Sequence, residues 1–300
     1  DFVPSRGLGD VYKRQHSTRR RMNPSDQDLL AIAVAAADAG AAELSRYWGN
    51  LRQVRSKGRA GDLLTEADLA AEAAVLKLLQ ERTPDVPVLA EESGHQPGRD
   101  NELQWCVDPL DGTTNYAHGF PLFACSIGLL RHGKPLLGAI AAPGLNQRYS
   151  GGLGLGAWCN GDPLQVSSCQ DLADSLLVTG FAYDRCERID NNYSEFCYFS
   201  HRTHGVRRGG AAALDLAFVA AGRLDGYWER GLQPWDLAAG VALVEAAGGL
   251  ICDYNGQPLE LSTGRVVATN GALQPQLLKG LAECQPLPPA TYNAEIPAGP

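Results

Sequence analysis

The chain has 300 residues, 44% hydrophobic and 20% charged, which excludes disorder along its whole length and allows one large layered domain or two small ones. A net charge of −8 argues against nucleic acid or an anionic membrane as the main partner, since both attract clustered positive charge. No apolar run approaches the roughly 18 residues of a membrane-crossing helix. The eight cysteines form no C-x-x-C pair and have no histidine at zinc spacing, so they read as reduced thiols of a cytoplasmic protein.

Residues 1–21 carry Lys13, Arg14, Arg19, Arg20 and Arg21 without an apolar period, and the sole methionine is Met22. The segment lacks the apolar stretch of a secretory signal and reads as a non-native or disordered leader. Pro24, Ser25 and Asp28 then predict a helix start, with Leu29, Ile32, Ala33, Ala36 and Leu44 on one face as far as about Trp48. A turn at 59–62 precedes a second helix, Thr65 to Arg82, with Leu69, Ala73, Leu76 and Leu79 as its apolar stripe. Strands follow at Val86–Ala90 and Gln104–Val107. The runs Leu122–Leu130 and Leu136–Ala142 flank Arg131-His132-Gly133-Lys134 as a hairpin. Further strands are expected at Ser175–Thr179, Gly226–Glu229 and Val266–Thr269. Ala211–Ala221 and Trp235–Ala247 read as helices, the second stopped by Gly248-Gly249. The proline-rich 286–300 reads as a disordered tail. Helices and strands mix throughout, so the expected class is α/β or α+β in layers.

The chemistry-bearing residues are carboxylates at the ends of these elements. Asp108-Pro109-Leu110-Asp111-Gly112-Thr113-Thr114-Asn115 runs on from an apolar strand. Pro109 fixes its own φ and keeps the residue before it extended, while Gly112 lets the backbone approach a ligand. Thr113 and Thr114 would open a short helix whose N–H groups face an anion. Glu91 and Glu92 close the preceding strand, where alternation would put only one of them beside Asp108. Asp236 opens the last long helix next to Pro234 and Trp235, and Asp62 and Asp68 flank the head of the second helix. Each of these two sets also suits a simple helix cap. Glu91, Asp108, Asp111 and Asp236 together would repel without a counter-ion. All-oxygen ligands of this kind suit magnesium, and paired ions hold both oxygens of an in-line phosphoryl displacement.

On "GDLLTEAD" at 61–68, "LAEES" at 89–93, "VDPLDGTTNYAHGFP" at 107–121, "GAAALDLAFVAAGRLDGYWE" at 210–229 and "WDLAAGVALVEAAGG" at 235–249, the chain resembles the inositol monophosphatase family of magnesium-dependent, lithium-sensitive phosphatases. The resemblance spans roughly residues 25–285. It implies an alternating α-β-α-β-α sandwich, divided into a 22–145 half with most metal ligands and a 146–285 half completing the site. It implies two to three Mg2+ ions. Glu91, Asp108 and the Leu110 carbonyl would hold the first, Asp108, Asp111 and Asp236 the second, and Glu91 with water a weaker third. Thr113, hydrogen-bonded to Asp68, would help deprotonate the attacking water. The N–H groups of Gly112 and Thr113 would grip phosphate. Asp111, the Ala212 N–H and Glu229 would contact substrate hydroxyls. Gly210-Ala211-Ala212 departs from relatives with a hydroxyl residue in the middle, which puts one substrate contact in doubt.

The function implied is hydrolysis of a small phosphorylated polyol, inositol 1-phosphate, by direct attack of metal-activated water, in a homodimer without nucleic-acid or membrane partners. The rivals are a histidinol-phosphate, sugar-phosphate or nucleotide 3′-phosphate phosphatase of the same superfamily and, more remotely, a non-catalytic scaffold. The 151–156 glycine run reads as a hairpin rather than a dinucleotide site, His118 as a loop histidine, and Arg207-Arg208 as solvated or at an interface.

Overall fold

The computed structural model describes residues 24–58 and 62–287. The leader expected at 1–21, the first three residues of the 59–62 turn and all but the start of the 286–300 tail lie outside these residues.

Helix α1 (Asp26–Tyr47) begins as expected: the Ser25 hydroxyl accepts the Asp28 N–H, and the Asp28 carboxylate accepts the Ser25 N–H. Strands β1 (Val54–Ser56) and β2 (Leu63–Thr65) pair antiparallel and lead into α2 (Glu66–Arg82). All three residues of β1 are exposed, so no apolar alternation announces it. Strand β3 (Val88–Ala90) lies between β4 (Gly94–Gln96), antiparallel to it, and β5 (Leu103–Asp111), parallel to it. Helix α3 (Thr113–Ala117) follows directly. Strands β6 (Ala124–Arg131) and β7 (Lys134–Ala142) join through His132 and Gly133, both at positive φ, which matches the right-handed twist of the strands. With β8 (Gln147–Gly152), β9 (Gly156–Cys159) and β10 (Asp162–Pro163) they complete an eight-stranded sheet in the order β10-β9-β8-β7-β6-β5-β3-β4. The 151–156 glycine run is the bend between β8 and β9.

The rest of the chain adds β11 (Leu176–Thr179), α4 (Tyr193–Ser200), β12 (Gly205–Arg207), α5 (Ala212–Ala220), β13 (Gly226–Arg230), α6 (Pro234–Ala246), β14 (Leu250–Cys252), β15 (Arg265–Thr269) and α7 (Gln274–Glu283). Its five strands form a second, mixed sheet in the order β12-β11-β13-β15-β14. Helices α1 and α2 cover one face of the larger sheet, and α5 and α6 lie between the two sheets. Helices α4 and α7 sit against the smaller sheet. The α-β-α-β-α sandwich is therefore present. The middle layer needs glycine: a Cβ on Gly128 of β6 would stand 2.5 Å from the Ala238 Cβ, and one on Gly138 of β7 2.4 Å from the Ala239 Cα. Alanines on α6 and glycines on the strands let the helix backbone lie close to the sheet.

One expectation fails on α2. Leu69 and Ala73 are exposed, and the buried positions are Ala67, Asp68, Ala71, Glu72, Val75 and Leu79. A stripe of Leu69, Ala73, Leu76 and Leu79 would turn Asp68 and Glu72 away from the core, yet both are buried. They face inward because each accepts hydrogen bonds there, Asp68 from Thr65 and Glu72 from the Glu92 N–H. All eight cysteines are free thiols. Among the described residues no helix is long and apolar enough to cross a membrane.

Candidate active site

A cleft of about 530 Å³ opens where β5, α3, α5, β13 and α6 meet. Strand β5 carries Asp108, Leu110 and Asp111 to its floor, all buried, and its pairing with β6 shifts register between Asp108 and Asp111. That irregularity aims both carboxylates to the same side although they are three residues apart. The Asp108 Oδ1 accepts the Leu110 N–H at 3.0 Å. The Asp111 carboxylate accepts the Ala212 and Ala213 N–H groups at 3.1 and 2.8 Å, from the first turn of α5. Asp236, in the first turn of α6, accepts the Gln233 N–H at 2.7 Å. It is a helix cap and a cleft residue at once, so the two readings of it were not rivals.

These carboxylates crowd one another. Burial, then Glu91, Asp111 and Asp236, push Asp108 well above the usual carboxylate range. Burial raises Asp111 to about 7 against the pull of the α5 N–H groups, and burial with Glu91 and Asp111 raises Asp236. The donors are oxygens throughout, and like charges that resist ionising together need a hard cation, so the set fits Mg2+ in its chemistry. Among the described residues no three acidic, histidine or cysteine side chains already close on one point. The partners explain this: each aspartate is tied to backbone N–H groups, and Glu91 is tied to Lys57.

Glu91 and Glu92 correct the strand argument. They lie in the turn after β3, not in the strand, and both reach the Lys57 Nζ, at 2.8 and 2.6 Å. Glu91 lines the cleft and Glu92 does not. Behind the floor, the Thr113 hydroxyl lies 3.2 Å from Asp68 Oδ1 and 2.9 Å from the Leu110 carbonyl. Asp68 Oδ2 accepts the Thr65 N–H at 2.8 Å and the Thr65 hydroxyl at 2.5 Å. Burial raises Asp68 to about 6 despite those bonds. Gly112, at φ +86, precedes α3, and a Cβ there would meet the Leu122 carbonyl at 2.8 Å.

On another wall Glu229, one residue before the end of β13, is buried and accepts the Tyr227 hydroxyl at 2.6 Å. Its carboxylate lies on bare backbone, for a Cβ on Gly180 would be 2.1 Å from Glu229 Oε1. Burial raises it to about 7. Ala212 lines the cleft, but its N–H, expected on a substrate hydroxyl, is given to Asp111. Arg208 lines the cleft, while Arg207 and His118 do not. Lys57, Phe181 and Tyr183 line it as well and had no place in the sequence argument. Lys57 meets partners 34 and 35 residues away, a separation that no motif spacing marks.

The model of the Inositol monophosphatase family matches residues 25–286. An inositol-1-monophosphatase of Synechocystis sp. is 52% identical over 261 residues, covering 87% of this chain and 91% of that one. The Nus factor SuhB of Escherichia coli is 36% identical over 84% of this chain and 94% of its own. Among solved structures, an inositol monophosphatase from Anabaena (Nostoc) superposes with a TM-score of 0.80 at 49% identity, covering 87% of this chain and 98% of that one.

Proposed function

The chain belongs to the inositol monophosphatase family, a family of metal-dependent phosphomonoesterases, and from that premise we propose that it hydrolyses inositol 1-phosphate to inositol and phosphate. The observation that carries this reading is the single cleft that Glu91, Asp108, Asp111 and Asp236 line together with Thr113 and Glu229. The 22–145 half supplies the first three carboxylates and the 146–285 half supplies Asp236, Glu229 and the N–H groups that hold Asp111.

Two to three Mg2+ ions would be held by Glu91, Asp108, the Leu110 carbonyl, Asp111 and Asp236, supplying charge neutralisation and an acidified water. The protein's own part is positioning. The Gly112 and Thr113 N–H groups, at the start of α3, have no side-chain cap and are offered to phosphate. Thr113 passes its hydroxyl hydrogen to Asp68 as it takes the proton that water loses while the water oxygen bonds to phosphorus, so that proton equivalent ends on Asp68. The bond to the alcohol oxygen breaks in the same displacement, and that oxygen takes its proton from a solvent water. No cysteine lines the cleft, so no thiol is placed for a covalent route. Glu229 accepts from leaving-group hydroxyls. The same reading takes the enzyme as a cytoplasmic homodimer inhibited by lithium.

The test is a substrate panel with released phosphate measured under magnesium: inositol 1-phosphate, histidinol phosphate, fructose 1,6-bisphosphate and adenosine 3′,5′-bisphosphate. The highest kcat/KM is expected on inositol 1-phosphate. A higher value on any other member moves the assignment to that substrate, and no turnover on all four refutes phosphatase activity of this type.

A further inference from the structure

Lys57 meets the acidic floor through a carboxylate that the proposed reaction needs. Its Nζ lies 2.8 Å from Glu91 Oε1 and 2.6 Å from Glu92 Oε1, with the lysine side chain 23% exposed and the Glu92 side chain 9%. Glu91 belongs to the cleft and Glu92 sits just outside it. We propose that Lys57 is a tethered counter-ion that competes with a divalent cation for Glu91 and withdraws onto Glu92 when the cation binds. This rests on the magnesium reading above.

The geometry supports each part. An ammonium at hydrogen-bond distance stands on the approach to Glu91 Oε1, and its charge repels a second cation drawing near that oxygen. Glu91 and Glu92 are adjacent, so leaving one for the other needs only rotation of the lysine's four-carbon stem. The backbone is held meanwhile, because the Lys57 N–H donates to the Asp62 carbonyl at 2.8 Å, closing the hairpin of β1 and β2. Glu92 is held too, with its N–H on the Glu72 carboxylate at 2.9 Å. A lysine ammonium carries its full positive charge throughout the physiological range. Lys57 thereby keeps Glu91 compensated without a metal and lowers the affinity of the position that uses Glu91.

The experiment is calorimetric titration of the full chain with Mg2+, without substrate. Lys57→Gln is expected to bind Mg2+ about tenfold more tightly than the unaltered protein, and Lys57→Met likewise, the loss of one directly competing charge. Glu92→Gln removes the refuge and is expected to weaken binding by about threefold. Arg208→Gln is the control for net field alone, since it takes a positive charge from the cleft without touching Glu91; less than about a threefold change is expected. Unchanged or weaker Mg2+ binding in both Lys57 variants overturns the proposal, as does equal tightening in Arg208→Gln. Unchanged or tighter binding in Glu92→Gln overturns the role given to Glu92. If the unaltered protein itself binds no Mg2+, the magnesium reading fails instead, and the two failures are told apart by that first titration.

Discussion

The Thr113 hydroxyl stands between two acceptors, Asp68 Oδ1 at 3.2 Å and the Leu110 carbonyl oxygen at 2.9 Å. It has one hydrogen to give, so only one of them is served at a time. Donation to Asp68 leaves the Leu110 carbonyl free as a ligand and turns a threonine lone pair toward water. Thr113→Ala should therefore lower kcat by roughly 10²–10⁴ with a smaller change in KM, the range for lost acid–base assistance. Thr113→Ser keeps the hydroxyl and should restore most of the rate. Equal losses in both variants, with unchanged melting, would show that the methyl packing matters and the hydroxyl does not.

Magnesium should raise the melting temperature as well as support turnover. A ligand that binds the folded chain at 100 times its Kd adds about 2.7 kcal/mol. Excess chelator should return both rate and melting temperature to the metal-free level. Asp236→Asn keeps the acceptor for the Gln233 N–H and removes one charge from a crowded cluster. Its metal-free melting temperature should equal or exceed that of the unaltered protein, while kcat collapses and the magnesium-induced shift shrinks. A large metal-free loss of stability would mean that the charge at 236 is structural.

Gly138→Ala tests how the fold places the same aspartate. The added methyl would lie 2.4 Å from the Ala239 Cα, which is backbone and cannot rotate away. Helix α6 must shift off the sheet, at about 1–3 kcal/mol or more of stability. Since Asp236 rides on the first turn of α6, kcat/KM should fall by more than the unfolded fraction explains. Thermal melts and kinetics on the same preparation check this.

The sequence shows the parts of the site that follow one another in the chain. Asp108, Leu110, Asp111 and Thr113 lie within six residues, and the strand-to-helix change is written in Pro109 and Gly112. The long helices and the β6–β7 hairpin are legible for the same reason, since their signals are local. What sequence spacing does not show is lateral. Lys57 meets Glu91 across 34 residues, from the position just after a strand with every residue exposed, and Asp111 meets the N–H groups of α5 across about 100. On α2 the apolar stripe misses the Asp68 and Glu72 face, because burial there is set by hydrogen-bond partners on other elements. Where polar side chains are buried for function, apolar periodicity points the wrong way.

Glu229 supports two independent measurements on one variant. Its carboxyl titrates near 7 in the folded chain against a usual 4.5, because burial outweighs the Tyr227 hydrogen bond. A carboxyl whose folded pKa is raised holds its proton longer when folded. Its stabilising contribution is full below about pH 4 and is lost as pH rises through 7. Glu229→Gln has no such loss, so it should gain on the unaltered protein between pH 5 and pH 8, by on the order of 2 kcal/mol. A pH-independent difference in melting temperature would show that Glu229 does not titrate in this range. For activity, glutamine keeps one acceptor and loses only charge assistance. A charged hydrogen bond contributes about 1.5–3 kcal/mol and a neutral one about 0.5–1.5. On inositol 1-phosphate the loss should be about 1 kcal/mol in kcat/KM, mostly in KM. On histidinol phosphate, whose leaving group carries an ammonium, the same change removes an ion pair and should cost more. Equal and negligible effects on the two substrates would place Glu229 out of reach of the leaving group.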